Sequence, residues 1–186
     1  MGALTIRPLS AARWADLEDL FGPNGAIGGC WCMWWRLRRR DWEAGKGAGN
    51  RRAFRRRASQ EPSPGLVAYS DDLAVGWCQV CPRSELPTLD RSRALAPIDG
   101  LPVWSLSCFY IKAGWRRRGV ARALTVAAIE AARSAGAPAL EAYPWDTKEA
   151  KSSSTVYTGL ASTFRALGFQ VVARRVPHRP VLRYSF

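Results

Sequence analysis

The sequence predicts an α/β protein: one sheet with helices on its faces. Two observations carry this. Short runs with period-two alternation interleave with runs of helical periodicity, in the order β-α-α-β-β-β-α-β-α-β-β. The best helical run, Gly119 to Ala135, is rich in alanine, which lets a helix lie close on a sheet. A chain of 186 residues with 47% hydrophobic residues can build such a core without disulfide staples, and we read residues 1–186 as a single domain.

Leu4 to Leu9 alternates apolar and polar residues and stops at Pro8, a first strand. Ser10 can cap a helix carrying Trp14, Leu17, Leu20 and Phe21, ended by Gly22-Pro23. Residues 22–50 read as irregular, and a basic helix is expected over 51–60 with Phe54 and Ala58 as its apolar stripe. Leu66–Tyr69 and Leu73–Val80 form a hairpin across Ser70-Asp71-Asp72. Residues 82–102, rich in proline and polar residues, read as a loop. Val103–Ile111 is a strand and Gly114–Arg118 a turn. In the helix that follows, Val120, Leu124, Ala127, Ala128, Ala131 and Ala135 share one face, opposite Arg122, Thr125 and Arg133. Ile129 falls on the polar side. Ala139–Tyr143 is a strand, Asp146–Ser154 an acceptor-side connection, and Thr158–Leu167 a helix burying Leu160, Phe164 and Leu167, stopped by Gly168. Phe169–Val176 and Val181–Phe186 close the chain as strands.

No run of 18 or more apolar residues appears, so no membrane span is expected. MGALTIRPLS has neither a signal region nor a myristoylation pattern, and cytoplasm is the expected address. The five cysteines are then reduced thiols. Cys30, Cys32, Cys78 and Cys81 have the number for a zinc site. Residues three apart in a strand point to opposite faces, however, so buried thiols and no metal are expected. The net charge of +13 comes from clustered arginines. It favours phosphorylated or polyanionic ligands, or is simply a solvated basic surface.

The chemistry sits in Phe109-Tyr110-Ile111-Lys112-Ala113-Gly114-Trp115-Arg116-Arg117-Arg118-Gly119-Val120-Ala121. A strand enters a basic turn and a helix starts at a glycine. Helix N-termini present unpaired N–H groups and partial positive charge, which hold phosphate. Gly119 removes the side chain that would keep a pyrophosphate from the backbone, Ala121 keeps the first turn open, and arginines add charge-assisted bonds.

Arg116-x-x-Gly119-x-Ala121 resembles the pyrophosphate loop of the GNAT superfamily of N-acetyltransferases, with Ile111 in the place of that family's strand valine. Phe164-Arg165-Ala166-Leu167-Gly168-Phe169 resembles the close of its last long helix, and the element order matches its fold, so the resemblance spans essentially the whole chain. Cys30–Arg36, with Cys32-Met33-Trp34-Trp35, and Glu141–Asp146 look like a branch of the same family. The resemblance implies a mixed, mostly antiparallel central sheet flanked by helices on both faces. It implies acetyl-coenzyme A as cofactor and direct transfer of its acetyl group to an amine, a small molecule or peptide. The Val103–Ile111 strand would splay from Ala139–Tyr143 to leave a slot. Phe109, Tyr110 and Ile111 would line the pantetheine arm, and Arg116, Arg117, Arg118, Gly119, Val120, Ala121 and Arg122 the pyrophosphate, with Tyr157 and Phe164 beside the cofactor.

The chain departs from the better-known members at the base and the acid. Ser107 stands where many relatives place a glutamate, and can order a water but not act as a strong base. Phe164 stands at the acid tyrosine and has no proton to give, leaving Tyr157 or Tyr143 as substitutes. Glu141 and Asp146 are the nearest carboxylates. Ser107, Glu141 and Tyr143 are the catalytic candidates, Glu141 reading equally as a structural partner for an arginine. Trp31, Trp34, Trp35, Trp77, Trp104 and Trp145 are candidates for the acceptor pocket, either stacking on a cationic or flat aromatic amine or packing in the core. A non-catalytic acyl-coenzyme A sensor and a basic nucleic-acid-binding module are the rival readings, and a homodimer stays open.

Overall fold

A computed structural model of the chain describes residues 3–147, 149 and 152–186. Met1 and Gly2 of the N-terminal reading, and Lys148, Ala150 and Lys151 of the acceptor-side connection, lie outside the described residues. The elements are β1 (Leu4–Pro8), α1 (Trp14–Phe21), α2 (Arg39–Ala44), α3 (Ala48–Ala58), β2 (Gly65–Ser70), β3 (Leu73–Pro82), α4 (Pro87–Asp90), β4 (Trp104–Ile111), α5 (Val120–Ser134), β5 (Ala139–Ala142), α6 (Ala161–Arg165), β6 (Gln170–Ala173) and β7 (Val181–Ser185). The sheet runs β1-β2-β3-β4-β5-β7-β6. Every pairing is antiparallel except β4 with β5.

Strand alternation sends side chains to two separate cores. On one face Leu66, Ala68, Cys78, Val80 and Leu106 meet α5 and α6. On the other, Val67, Tyr69, Ala74 and Trp77 meet Leu17 and Phe21 of α1 and Phe54 of α3. Gly76 sets the depth at which α5 lies: a Cβ there would stand 2.6 Å from Val120 Cγ1. No side chain fits between that strand and the helix.

Several expectations need correction. The buried stripe of α5 is Val120, Leu124, Thr125, Ala128, Ile129 and Ala132, whereas Ala135 is exposed. Packing across β1 to β5 widens the buried arc to Thr125 and Ile129, and the Thr125 hydroxyl donates to Ala121 O at 2.8 Å. Ser10 stands at the helix entry but makes no capping bond. The irregular 22–50 segment contains α2 and the start of α3. Within the expected loop at 82–102, α4 and its neighbours bury Leu86, Leu89 and Leu95 in a third cluster with Trp35, Cys81 and Tyr143. The last helix is shorter than periodicity predicts, and Leu160 is 38% exposed.

Cys78 lies in the α5-side core and Cys81 in the third cluster, while Cys32 packs with α1 and α3. All five cysteines are free, and among the described residues no group of three or more His, Cys, Asp or Glu could hold a metal ion. Burial raises the Cys78 thiol and pushes Cys81 up to about 11, which opposes thiolate ligation. Metal analysis of purified, untagged protein should find zinc well below one equivalent. One equivalent, removable only with loss of fold, would overturn this. No helix among the described residues is long and apolar enough to cross a membrane.

Candidate active site

The parallel pair β4–β5 is short. Trp104, Ser105 and Leu106 face Leu140, Glu141 and Ala142, and there β5 ends while β4 continues to Ile111. The register against β3 passes from Gln79–Cys108 to Val80–Leu106, which leaves Ser107 unmatched as a bulge. Trp35 Nε1 donates to Ser107 O at 3.2 Å and pins that bulge. Beyond it the Phe109 N–H donates to Tyr157 O at 2.6 Å, so the chain before α6 lies along the open side of β4.

The resulting slot has a volume of about 560 Å³. Phe109, Tyr110, Ile111, Val120, Tyr157 and Phe164 wall its length. Its far end is the basic turn, where Arg116, Arg117, Gly119, Ala121 and Arg122 line it. Gly119 has φ +79° and nothing within 4 Å of an added Cβ, so the backbone there is bare. Arg117 also has positive φ, at 59°. The N–H groups of the first helical turn of α5 have no partner within the helix, and they point at this bare end. Arg118 is the exception among the expected loop residues: its guanidinium turns onto the Trp115 ring, 5.7 Å from the centroid, and does not line the slot.

A second cavity of about 340 Å³ adjoins the first. Ala26, Ile27, Phe109, Tyr110 and Tyr157 line both. Trp34, Trp35 and Trp42 form its aromatic wall, with Trp34 and Trp42 edge to face at 5.0 Å between centroids. Cys30, Cys32 and Cys108 lie against it. Burial raises the Cys30 and Cys32 thiols, so neither is a thiolate nucleophile at neutral pH.

The other aromatic candidates do not reach this cavity. Trp31 is 4% exposed and stacked on Trp14 at 5.8 Å. Trp77 lies fully buried between Phe21 and Phe54, its Nε1 donating to Cys32 Sγ. Both are core residues. Trp104 packs against the α5-side core. Trp145 stacks on His178 at 4.9 Å with Arg179 nearby, beside a separate shallow cavity.

The catalytic candidates also lie away from the junction. Glu141 sits in the paired part of the sheet, where the strands have not yet parted, and is 2% exposed. Arg183 Nη2 donates to it at 2.7 Å, Arg83 lies 3.4 Å away, and the Tyr143 hydroxyl donates at 3.2 Å. The Tyr143 hydroxyl is shared with Ser105 at 2.6 Å and Arg83 at 2.7 Å, and burial pushes its phenol up. Neither residue lines the slot or the adjoining cavity. Ser107 is fully buried, and its Oγ has no partner. Asp146 is bound by Arg165 and Arg174, whose hydrogen bonds hold its carboxyl down to about 2. Among the described residues no carboxylate lines the slot or the adjoining cavity. Gln79 escaped the sequence reading, although the signal was there: it is the one strongly polar side chain in Leu73–Cys81.

A strand pair that parts, a bare helix N-terminus at one end of the split and an aromatic cavity at the other make this the candidate active site. The Acetyltransferase (GNAT) family matches residues 31–151, and the chain belongs to that family. Acetyltransferases of this family take their acetyl group from acetyl-coenzyme A. Comparison with curated proteins finds no match. Solved structures share the fold. The PaiA N-acetyltransferase of Thermoplasma acidophilum, in complex with coenzyme A, is 14% identical with a TM-score of 0.56 over 99% of each chain. A GCN5-related N-acetyltransferase from Kribbella flavida is 18% identical, TM-score 0.58, over 99% of this chain and 98% of that one. The ribosomal-protein-alanine N-acetyltransferase of Brucella melitensis is 20% identical, TM-score 0.56, over 98% and 99%.

Proposed function

We propose that this protein, as one catalytic domain, transfers the acetyl group of acetyl-coenzyme A directly to an amine held in the aromatic cavity. The observation that supports this reading is that the two cavities lie side by side, with Phe109, Tyr110 and Tyr157 lining both. A bound acetyl-coenzyme A supplies an activated thioester carbon. Arg116, Arg117 and Arg122, with the N–H groups of Val120 and Ala121, would hold its pyrophosphate. The Phe109 N–H is taken by Tyr157 O, so the β4 backbone from there to Ile111 would be what pairs with an extended ligand arm and polarises a carbonyl. Burial raises the Tyr157 phenol, so it keeps its proton at the junction, whereas Phe164 has none to give. With no carboxylate at the junction, transfer rests on positioning and carbonyl polarisation rather than on a strong base. The five free thiols fit a reducing, cytoplasmic setting.

Two measurements test this. Acetyl-coenzyme A at about 100 times its dissociation constant should add roughly 2.7 kcal/mol of stability, a rise in melting temperature of about 5–10 °C for a domain of this size. Thiol release should then appear with amines and not without them. Binding without release for any amine would favour a sensor, and no binding would remove the reading altogether.

A further inference from the structure

Gln79 belongs to β3, paired with Gly65 on one side and Cys108 on the other, and its side chain shares the face of Trp77. It lines the aromatic cavity, is 0% exposed, and neither Oε1 nor Nε2 has a hydrogen-bond partner. A fully buried carboxamide with both atoms unpaired is a cost the fold carries. An apolar residue of the same size would remove that cost. A ligand group that both donates and accepts would satisfy both atoms at once.

The charge of the cavity narrows the ligand further. Its only ionised lining residue is Lys46, whose ammonium stands 4.6 Å from the centre of the Trp42 ring. Besides Gln79 and the hydroxyl-bearing Ser154, the rest of the lining is aromatic, thiol, aliphatic and glycine, with no carboxylate among the described residues. A cationic amine entering here would lose its hydration, meet no counter-ion and face a like charge. An alkyl amine, a cation at neutral pH, would also need a base that the junction lacks. An aromatic amine is already the free base. It fits a cavity of about 340 Å³ lined by three indole rings.

We propose that the acceptor is a weakly basic aromatic amine bearing a neutral donor–acceptor group, a carboxamide or its ring equivalent, which pairs with Gln79. This rests on the acetyl-transfer reading above. In the step itself the amine nitrogen bonds to the acetyl carbon and the carbon–sulfur bond breaks. The proton lost from nitrogen ends on the departing sulfur, leaving an anilide and a free thiol.

The experiment compares 3-aminobenzamide, 3-methylaniline and 4-aminobutanamide as acceptors at saturating acetyl-coenzyme A, by thiol release and product mass, in wild type and Gln79→Met. In wild type, 3-aminobenzamide should exceed each of the others by at least tenfold in kcat/KM, since one lacks the amide and the other the ring. Gln79→Met should raise KM for 3-aminobenzamide about 10- to 100-fold, the loss of one or two hydrogen bonds to an otherwise unpaired group. KM for acetyl-coenzyme A should not change, and the melting temperature should stay or rise, because two unpaired buried atoms are gone. If Gln79→Met fails to fold, Gln79→Leu and the wild-type preferences decide. A preference for 4-aminobutanamide, no turnover of either aromatic amine by protein that binds acetyl-coenzyme A, or an unchanged preference in the variant overturns the proposal alone. Failure to bind acetyl-coenzyme A removes the acetyl-transfer reading with it.

Discussion

Gly119→Glu is expected to weaken acetyl-coenzyme A binding by at least about 100-fold, the loss of a few charge-assisted bonds plus a new repulsion. The position has φ +79°, and the space where a Cβ would project is open. A glutamate there puts bulk and negative charge over the bare first turn of α5, where phosphate oxygens are to sit. The same substitution strains the backbone, since a left-handed non-glycine residue costs roughly 1–2 kcal/mol. Gly119→Ala separates the two effects: it keeps the strain but adds no charge. It should lose stability while still binding to within about tenfold of wild type, because a methyl group blocks far less than a carboxylate. Calorimetric titration of all three proteins with acetyl-coenzyme A is the measurement. Wild-type affinity in Gly119→Glu would show that this turn is not the pyrophosphate site.

Arg83→Met should cause the largest loss of stability, and it lies far from the split. Arg83 is 9% exposed and binds the Tyr143 hydroxyl at 2.7 Å, Asp90 at 2.9 Å and Leu95 O at 2.8 Å, with Glu141 3.4 Å away. Removing it leaves Arg183 as the one arginine on Glu141, beside the Tyr143 hydroxyl, and unties the 82–102 segment from β5. Breaking a buried ion pair from one side costs about 3–5 kcal/mol, which is roughly 6–20 °C in melting temperature for 150–250 residues. Glu141→Gln keeps the shape and most of the hydrogen bonds. It should lower stability but slow transfer less than about tenfold, well short of the loss of a general base. A 100-fold fall in rate for Glu141→Gln, with loss of the alkaline rise in its pH–rate profile and an unchanged melting temperature, would make Glu141 the base instead.

The cofactor end of the site was legible because it is local. Strand, basic turn, glycine and helix are contiguous from Phe109 to Arg122, and period and propensity act on contiguous residues. Even there the setting of Arg118, which turns to the Trp115 ring, depends on side-chain packing that contiguous residues do not encode. The acceptor end is assembled from Ala26–Lys46, Gln79, Cys108–Tyr110 and Ser154–Tyr157, segments far apart in the chain. Trp31 and Trp35 are four residues apart, and no periodicity tells which is core and which is wall. The left-handed backbone at Trp31 and Cys32, φ 47° and 54°, decides it. Glu141 was ambiguous for a similar reason. Its arginines come from residue 83, inside an expected loop, and residue 183, its register partner on the neighbouring β7 but distant in the chain.

Trp35 has two attachments. Its ring is a wall of the acceptor cavity, its Nε1 holds the Ser107 bulge, and its carbonyl accepts the N–H of Thr88. On the proposed reading, the residue that walls the amine's cavity is therefore also a brace for the strand that would present the thioester. A lineage cannot widen this cavity at Trp35 without loosening the brace, so changes of acceptor should accumulate at Trp34, Trp42 or Gln79 first. On that reading, preference for the amine and speed of transfer would be inherited together through one indole.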